Sequence, residues 1–348
     1  MVTARVTTGV VVRAFGVSVR VAPRTLVVVA VLAALAAVVS VLSMTVGQVS
    51  LSPGEVVAAL FGGGTPVSEM VVLRLRLPRA LTGLLAGAAL AVSGALLQSI
   101  TRNVLGSPDF IGITTGSATG ALITIIVLGG GMHQTSLGAL VGGLATAAVM
   151  YALVLRRGLQ GFRFVLVGVG VAALLLAVNY YLITRADIYD AVAAQEWLTG
   201  SLNLRTWPQV IAIAVTVALL LPLGALWSRR LTAMEMGDPI AGALGVPLVP
   251  TRLVLIGAAT GLAAVATAAT GPIAFVALAA PQLARAVTRA NGPAVLTSAL
   301  MGAVLLGASD FAVQRIFGTA QLPVGIVTSA VGGLYLAWLL AARWRGRT

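Results

Sequence analysis

The chain has 348 residues, 59% of them hydrophobic and 9% charged, with a mean hydropathy of +1.05 and a formal net charge of +13. Soluble domains carry about 25% charged residues, so a soluble fold is excluded, and apolar runs that are continuous rather than alternating exclude a membrane barrel. Cysteine is absent and all 22 basic residues are arginine, which removes disulfides, thiol chemistry, cysteine metal sites and any P-loop lysine.

Uncharged windows of 18 or more residues are long enough to cross a bilayer as helices. They predict an all-α polytopic membrane protein with spans near 25–46, 80–100, 112–131, 137–155, 164–184, 207–227, 253–270, 272–284, 294–312 and 322–342. No hydrophilic stretch is long enough to fold alone, so one transmembrane domain over 1–348 is expected, with 1–24 as an N-terminal tail. That tail carries Arg but no cleavage pattern of a signal peptide, and nothing need be removed. After the first span, "SLSPGEVVAALFG" predicts a short helix capped by Ser52, with Pro53 at its first position and Glu55 at its third. The loop 185–206, "RADIYDAVAAQEWLTGSLNLRT", is also amphipathic, and both loops are expected along the membrane surface. "LPRALTGLLAGAALA" (77–91) and "LPVGIVTSAVGGLYLA" (322–337) each open with Leu-Pro and carry a small pair nine positions after the proline, a weak internal symmetry of a kind common in transporters.

The stretch 253–284, broken at Gly271-Pro272, reads as one kinked helix or two short ones, and charge decides between them. With two helices, Arg5, Arg13, Arg20, Arg24, Arg102, Arg156, Arg157, Arg163, Arg229, Arg230, Arg252, Arg285, Arg289, Arg343, Arg345 and Arg347 share one side with only Asp109, Glu235 and Asp238. The other side has equal numbers of arginines and acids. The positive-inside rule then gives ten spans with both termini cytoplasmic. The net charge is thereby an orientation signal, and no nucleic-acid partner is needed to explain it.

Chemistry that rival functions require is missing. Ion-coupled transporters carry acids within their spans; here Asp310, at the outer end of the ninth span, is the nearest candidate, and pairing with an arginine would account for it. An intramembrane enzyme is the other rival. His133 is the only histidine and falls in a loop, while Tyr189-Asp190 and Gly237-Asp238 sit in loops on opposite sides, so neither a nucleophile–base pair nor an aspartyl dyad is supported. The chain is not expected to be an enzyme.

Two polar constellations remain. "LRLRLPR" (73–79) places Arg74, Arg76 and Arg79 at the outer mouth of the second span, with Arg315 in the last outer loop. Snorkelling to lipid head groups is one reading, and a guanidinium fork receiving carboxylates of a soluble delivery protein is the other. The second constellation is "AMEMGDPIAGALGVP" (233–247), inside the loop 229–252, which is long by the norms for connections. It is either an ordinary connection or a pair of short helices broken at Gly237-Asp238-Pro239, whose Ile240, Ala243, Leu244 and Val246 form an apolar face in need of a partner.

With these features, "RLPRALTGLLAGAALAVSGALLQSITRNVLGSPDFIGITTGSATGA" (76–121), "WLTGSL" (197–202), "MGDPIAGALGV" (236–246), "GPIAFVALAAPQLAR" (271–285) and "LPVGIVTSAVGG" (322–333) resemble the permease family of ABC importers for iron-siderophores, haem and vitamin B12, and most of all its ferric-enterobactin branch. The resemblance covers about 45–342. It implies the ten-span fold of a type II importer permease in the cytoplasmic membrane, a second permease subunit (identical or paralogous), two cytoplasmic ATPase subunits that hold ATP and Mg, an extracytoplasmic binding protein, and no cofactor on this chain. It implies a ferric siderophore as substrate, with cobalamin or haem as the alternative. Carried over by position, Arg76, Arg79 and Arg315 would dock the binding protein, and Glu235, Met236, Gly237, Asp238, Ile240, Ala241, Leu244 and Gly245 would couple to the ATPase. Two positions depart from the family pattern: Gln282 stands where histidine is usual after Pro281, and Val104 stands where proline is usual after Asn103.

Overall fold

The computed structural model describes residues 10–14, 17–47, 49–155, 161–290, 292–317 and 322–345. Arg5, Arg156, Arg157 and Arg347 of the charge argument lie outside them. Helices occupy all ten expected places. In chain order they are α1 (Pro23–Thr45), the short α2 (Pro53–Leu60) and α3 (Pro66–Met70), α4 (Leu77–Thr101), α5 (Ile113–Leu122), α6 (Met132–Leu155), α7 (Gly161–Arg185), α8 (Ile188–Leu198), α9 (Trp207–Leu226), α10 (Ser228–Glu235), α11 (Asp238–Ala243), α12 (Leu248–Thr270), α13 (Val276–Thr288), α14 (Val295–Phe317) and α15 (Val324–Arg345). π-Helical turns join α3 to α4 and extend α5 to Val127. Among the described residues, seven helices are long and apolar enough to cross a membrane.

Local chemistry sets several boundaries. Ser52 caps α2 as its sequence predicts: the Glu55 N–H donates to Ser52 Oγ and the Ser52 N–H to Glu55 Oε2, at 3.2 and 2.7 Å, a reciprocal pair that satisfies two otherwise orphaned donors. One element was not expected. Val10–Ala14 and Val17–Val21 pair as an antiparallel hairpin, and the alternation of valines in "VSVRV" is the period-two signal for it.

The core is built around α4, buried along most of its length and packed against α14, α12, α13 and α9. Small residues make this possible. At Gly94 a β-carbon would lie 1.7 Å from the carbonyl oxygen of Ala277 on α13, and at Gly87 one would lie 2.3 Å from that of Gly302 on α14. The outer helices show the opposite pattern: α1 exposes Leu26, Val27, Val31 and Leu35, and α7 exposes Leu166, Val169 and Leu174. Such side chains suit lipid, while the helical backbone satisfies its own polar groups.

The break at Gly271-Pro272 is real. Gly271 has φ +74° and Phe275 φ +68°, so the chain runs non-helically between α12 and α13. The second helix begins at Val276, four residues later than the sequence suggested. Hydrogen bonds and an ion pair then tie helix ends together across the bundle. Arg24 Nε donates to the carbonyl of Val287 at 2.7 Å, joining the start of α1 to the end of α13. Arg79 meets Asp310, joining the start of α4 to the far half of α14. The Ser201 N–H donates to Thr270 O at 2.8 Å and the Gly325 N–H to Gly200 O at 3.1 Å. The ends of α12 and α14, the start of α15 and the loop after α8 therefore share the end of the bundle opposite the arginine-rich one.

Candidate functional site

At the arginine-rich end, residues 228–247 fold into a compact knob between α9 and α12. On α10, Leu231 and Met234 are buried, and the helix packs on α4. Gly237 follows with φ +115°, a conformation that L side chains rarely adopt, and turns the chain into α11. That helix closes with two bonds, from the Val246 N–H to Ala241 O and from the Gly245 N–H to Gly242 O, at 3.0 and 2.9 Å. With Gly245 at φ +76° this is a Schellman ending, which explains the glycine there. Outward from the knob point Met236, Ile240 and Leu244, exposed by 62%, 45% and 64%.

Asp238 anchors the knob. Both of its oxygens accept from Arg252 Nη2 at 2.7 Å, and Oδ1 also accepts from Arg102 Nη2. Burial works to raise the pKa of this carboxyl, but Arg252 and Arg102 outweigh it and hold it below the usual carboxylate value. Arg102 itself ends α4 in the left-handed region, φ 50°, a strain of about 1 kcal/mol for a side chain other than glycine. The knob is thus fastened by one carboxylate to α4 and α12, two of the most deeply buried helices in the bundle.

Beside it lies a cavity of 310 Å³ lined by Gln98, Arg102, Asn103, Val104, Glu235, Gln282 and Arg285. Gln282 Nε2 donates to the carbonyl of Val104 at 3.0 Å. The two positions that the resemblance marked as departures therefore touch one another, an amide side chain bonding to the backbone.

Of the eight knob residues singled out from sequence, the structure brings all onto α10, α11 and their turns, but not with one orientation. Ala241 is fully buried and faces the interior, because α11 must rest on something; it offers no outward surface. Glu235 lines the neighbouring cavity rather than the exposed face. Arg102 and Arg252 read in sequence as orientation signals alone, and their bond to Asp238 left no periodic trace.

At the opposite end the three arginines do not form a free fork. Arg76 donates from Nη1 to Met44 O at 2.6 Å and from Nη2 to Val49 O, fastening the turn after α1. Arg79 forms a two-pronged pair with Asp310, Nη2 to Oδ1 at 2.7 Å and Nε to Oδ2 at 3.1 Å, and Gln314 Nε2 donates to the same carboxylate. Asp310 is 2% exposed, and its arginine partner accounts for it. Arg315 is exposed with no hydrogen-bond or ion-pair partner among the described residues, and so is Arg74. Sequence reasoning missed Arg205 at this end. It is 8% exposed and lines a second cavity, of 390 Å³.

Comparison with known proteins places this architecture. The FecCD transport family matches residues 32–342. The chain is 43% identical to the ferric enterobactin transport system permease protein FepG of Escherichia coli (strain K12) over 294 residues, which is 84% of this chain and 89% of that one. It is 32% identical to the iron(3+)-hydroxamate import system permease protein FhuG of Bacillus subtilis (strain 168), over 91% of this chain and 97% of the relative. Among solved structures, a metal-chelate type ABC transporter in an inward-facing conformation superposes with a TM-score of 0.82 at 29% identity, covering 90% of this chain and 99% of that one.

Proposed function

Given that this chain belongs to the FecCD transport family, we propose that it carries a ferric siderophore of the enterobactin type across the cytoplasmic membrane. The coarser statement stands without proposal: it is a multi-pass, non-catalytic permease of an iron-chelate ABC importer. The observation that carries the finer one is the 43% identity to a ferric enterobactin permease, against 32% to a hydroxamate permease.

The same reading gives the chain its partners: a second, paralogous permease subunit, two cytoplasmic ATPases holding ATP and Mg, a soluble binding protein outside, and the bilayer. The whole of 1–348 then acts as one permease unit, with 1–24 as a cytoplasmic tail and 229–252 as the coupling loop. The exposed Met236, Ile240 and Leu244 suit a cleft on the ATPase. The bonds from Asp238 to Arg102 and Arg252 supply a stiff connection from that cleft to α4 and α12.

Uptake decides the substrate. A strain lacking this chain should lose import of labelled ferric enterobactin and regain it on complementation, while cobalamin and haem uptake stay unchanged. Undiminished siderophore import in the deletion strain would sink the proposal.

Docking of the binding protein by Arg76, Arg79 and Arg315 belongs to the same proposal, and the geometry dictates how to test it. Reversing Arg79 would leave Asp310 buried beside a second carboxylate, an assembly defect by itself. Arg315→Glu touches no internal partner. It should leave the amount of assembled permease unchanged and weaken binding-protein association by about fivefold at low salt, the effect shrinking as salt rises. Unchanged association at low salt removes Arg315 from the docking surface.

A further inference from the structure

The cavity at the extracytoplasmic end is walled by the turn after α5 (Gly129, Gly130), the start of α6 (Thr135, Ser136), α8 and the loop 201–205. Its 390 Å³ is within the range of small-ligand sites. In its wall lies Arg205, 8% exposed. Its Nε donates to the carbonyl of Ser201 at 3.1 Å, and neither terminal nitrogen has a hydrogen-bond or ion-pair partner among the described residues. Burial pushes its pKa down to about 10, which leaves it a cation at neutral pH. The acids that share the cavity, Asp190 and Glu196, form no ion pair with it; Glu196 is solvent-exposed. Trp197 adds an aromatic wall.

A buried guanidinium without a counter-ion is costly unless something completes it, and its planar fork fits two adjacent anionic oxygens. We propose that this cavity is a receiving subsite for one anionic arm of the iron chelate, a catecholate or carboxylate, with Arg205 holding its paired oxygens and Trp197 flanking its ring. Asp190 and Glu196 then accept from the amide or hydroxyl donors that follow the anionic tip. The loop is held in place from the other side by the bond from Ser201 to Thr270, so the site is presented on a fixed support. This inference rests on the siderophore reading above.

The probe is 2,3-dihydroxybenzoate, a catechol ring whose carboxylate supplies the paired anionic oxygens at neutral pH, titrated onto the intact transporter complex in lipid nanodiscs. Wild type should bind it, Arg205→Gln should bind at least about tenfold more weakly, and Arg205→Lys should fall between. Neutral 1,2-dihydroxybenzene should be indifferent to the substitution. Equal binding by wild type and Arg205→Gln overturns the subsite. If the glutamine variant does not assemble, protection of Arg205 from phenylglyoxal by the same probe on the wild-type complex decides, and absence of protection overturns the proposal. A phospholipid head group as the true occupant would appear as Arg205-dependent lipid retention that the probe does not displace, which also overturns it. Ferric siderophore import by the wild-type strain tests the parent reading separately: import without probe binding sinks the subsite alone.

Discussion

Ile240→Asp combined with Leu244→Asp is expected to abolish chelate import while the permease stays in the membrane at its normal level. Both side chains stand out from α11, exposed by 45% and 64%, and surface changes of this kind move stability by only about 0.5 kcal/mol. Their value lies in the ATPase cleft that the proposed coupling role has them fill. Two apolar anchors at the centre of an interface contribute about 2 kcal/mol each, and removing both would weaken ATPase association by nearly a thousandfold. The measurement is co-purification of the ATPase together with uptake of labelled chelate. Retention of the ATPase with full import would remove the knob from the coupling pathway. The companion change Ala241→Leu should behave differently. Ala241 is fully buried, so a larger side chain lifts α11 off its support and should lower the yield of folded permease as well as transport. The pair of variants separates a contact surface from its scaffold.

The division between legible and hidden features follows from range. Hydropathy and charge act over whole helices, so the places of the ten expected helices and the separation of α12 from α13 could be read directly, as could the cap at Ser52, whose partner is three residues away. The outward Ile240 and Leu244 were legible because apolar residues in a long polar-side loop need a partner. What stayed hidden involves residues distant in sequence. Asp310 reads as a carboxylate in want of an arginine, but that the arginine is Arg79, 231 positions away, shows only once α14 packs beside α4. Arg76 reads as a free outer cation until the turn after α1 supplies two carbonyls. Ala241 enters the coupling set only by position in the family resemblance, and its full burial inside the knob has no signature in the sequence. Arg205 gave no sign in sequence, because neither its burial nor the cavity beside it has a periodic signature.

The largest effect on the fold itself is expected from Gly94→Val. α4 and α13 approach so closely at this point that even a β-carbon would sit 1.7 Å from the Ala277 oxygen and 2.6 Å from its carbonyl carbon. Those are backbone atoms and cannot rotate aside, so the helices must separate. Separation also strains the bonds that cross the same interface, from Gln98 Nε2 to Leu278 O at 3.0 Å and from Arg285 to Gln98 Oε1 at 2.5 Å. Overpacking within a close-packed core costs about 1–3 kcal/mol where side chains can shift, and here the full upper end applies, since only backbone movement relieves the contact. A membrane level about tenfold below wild type is expected, measured by immunoblot of the membrane fraction, with Gly94→Ala intermediate. Gly170→Ala supplies the control: on the exposed face of α7 nothing lies within 4 Å of its β-carbon, and exchanging glycine for alanine inside a helix should stabilise it slightly. A normal level of the Gly94→Val permease would mean that α13 can move away from α4 at little cost. The rigid core, and with it the stiff path from the knob through α4, would then have to be abandoned.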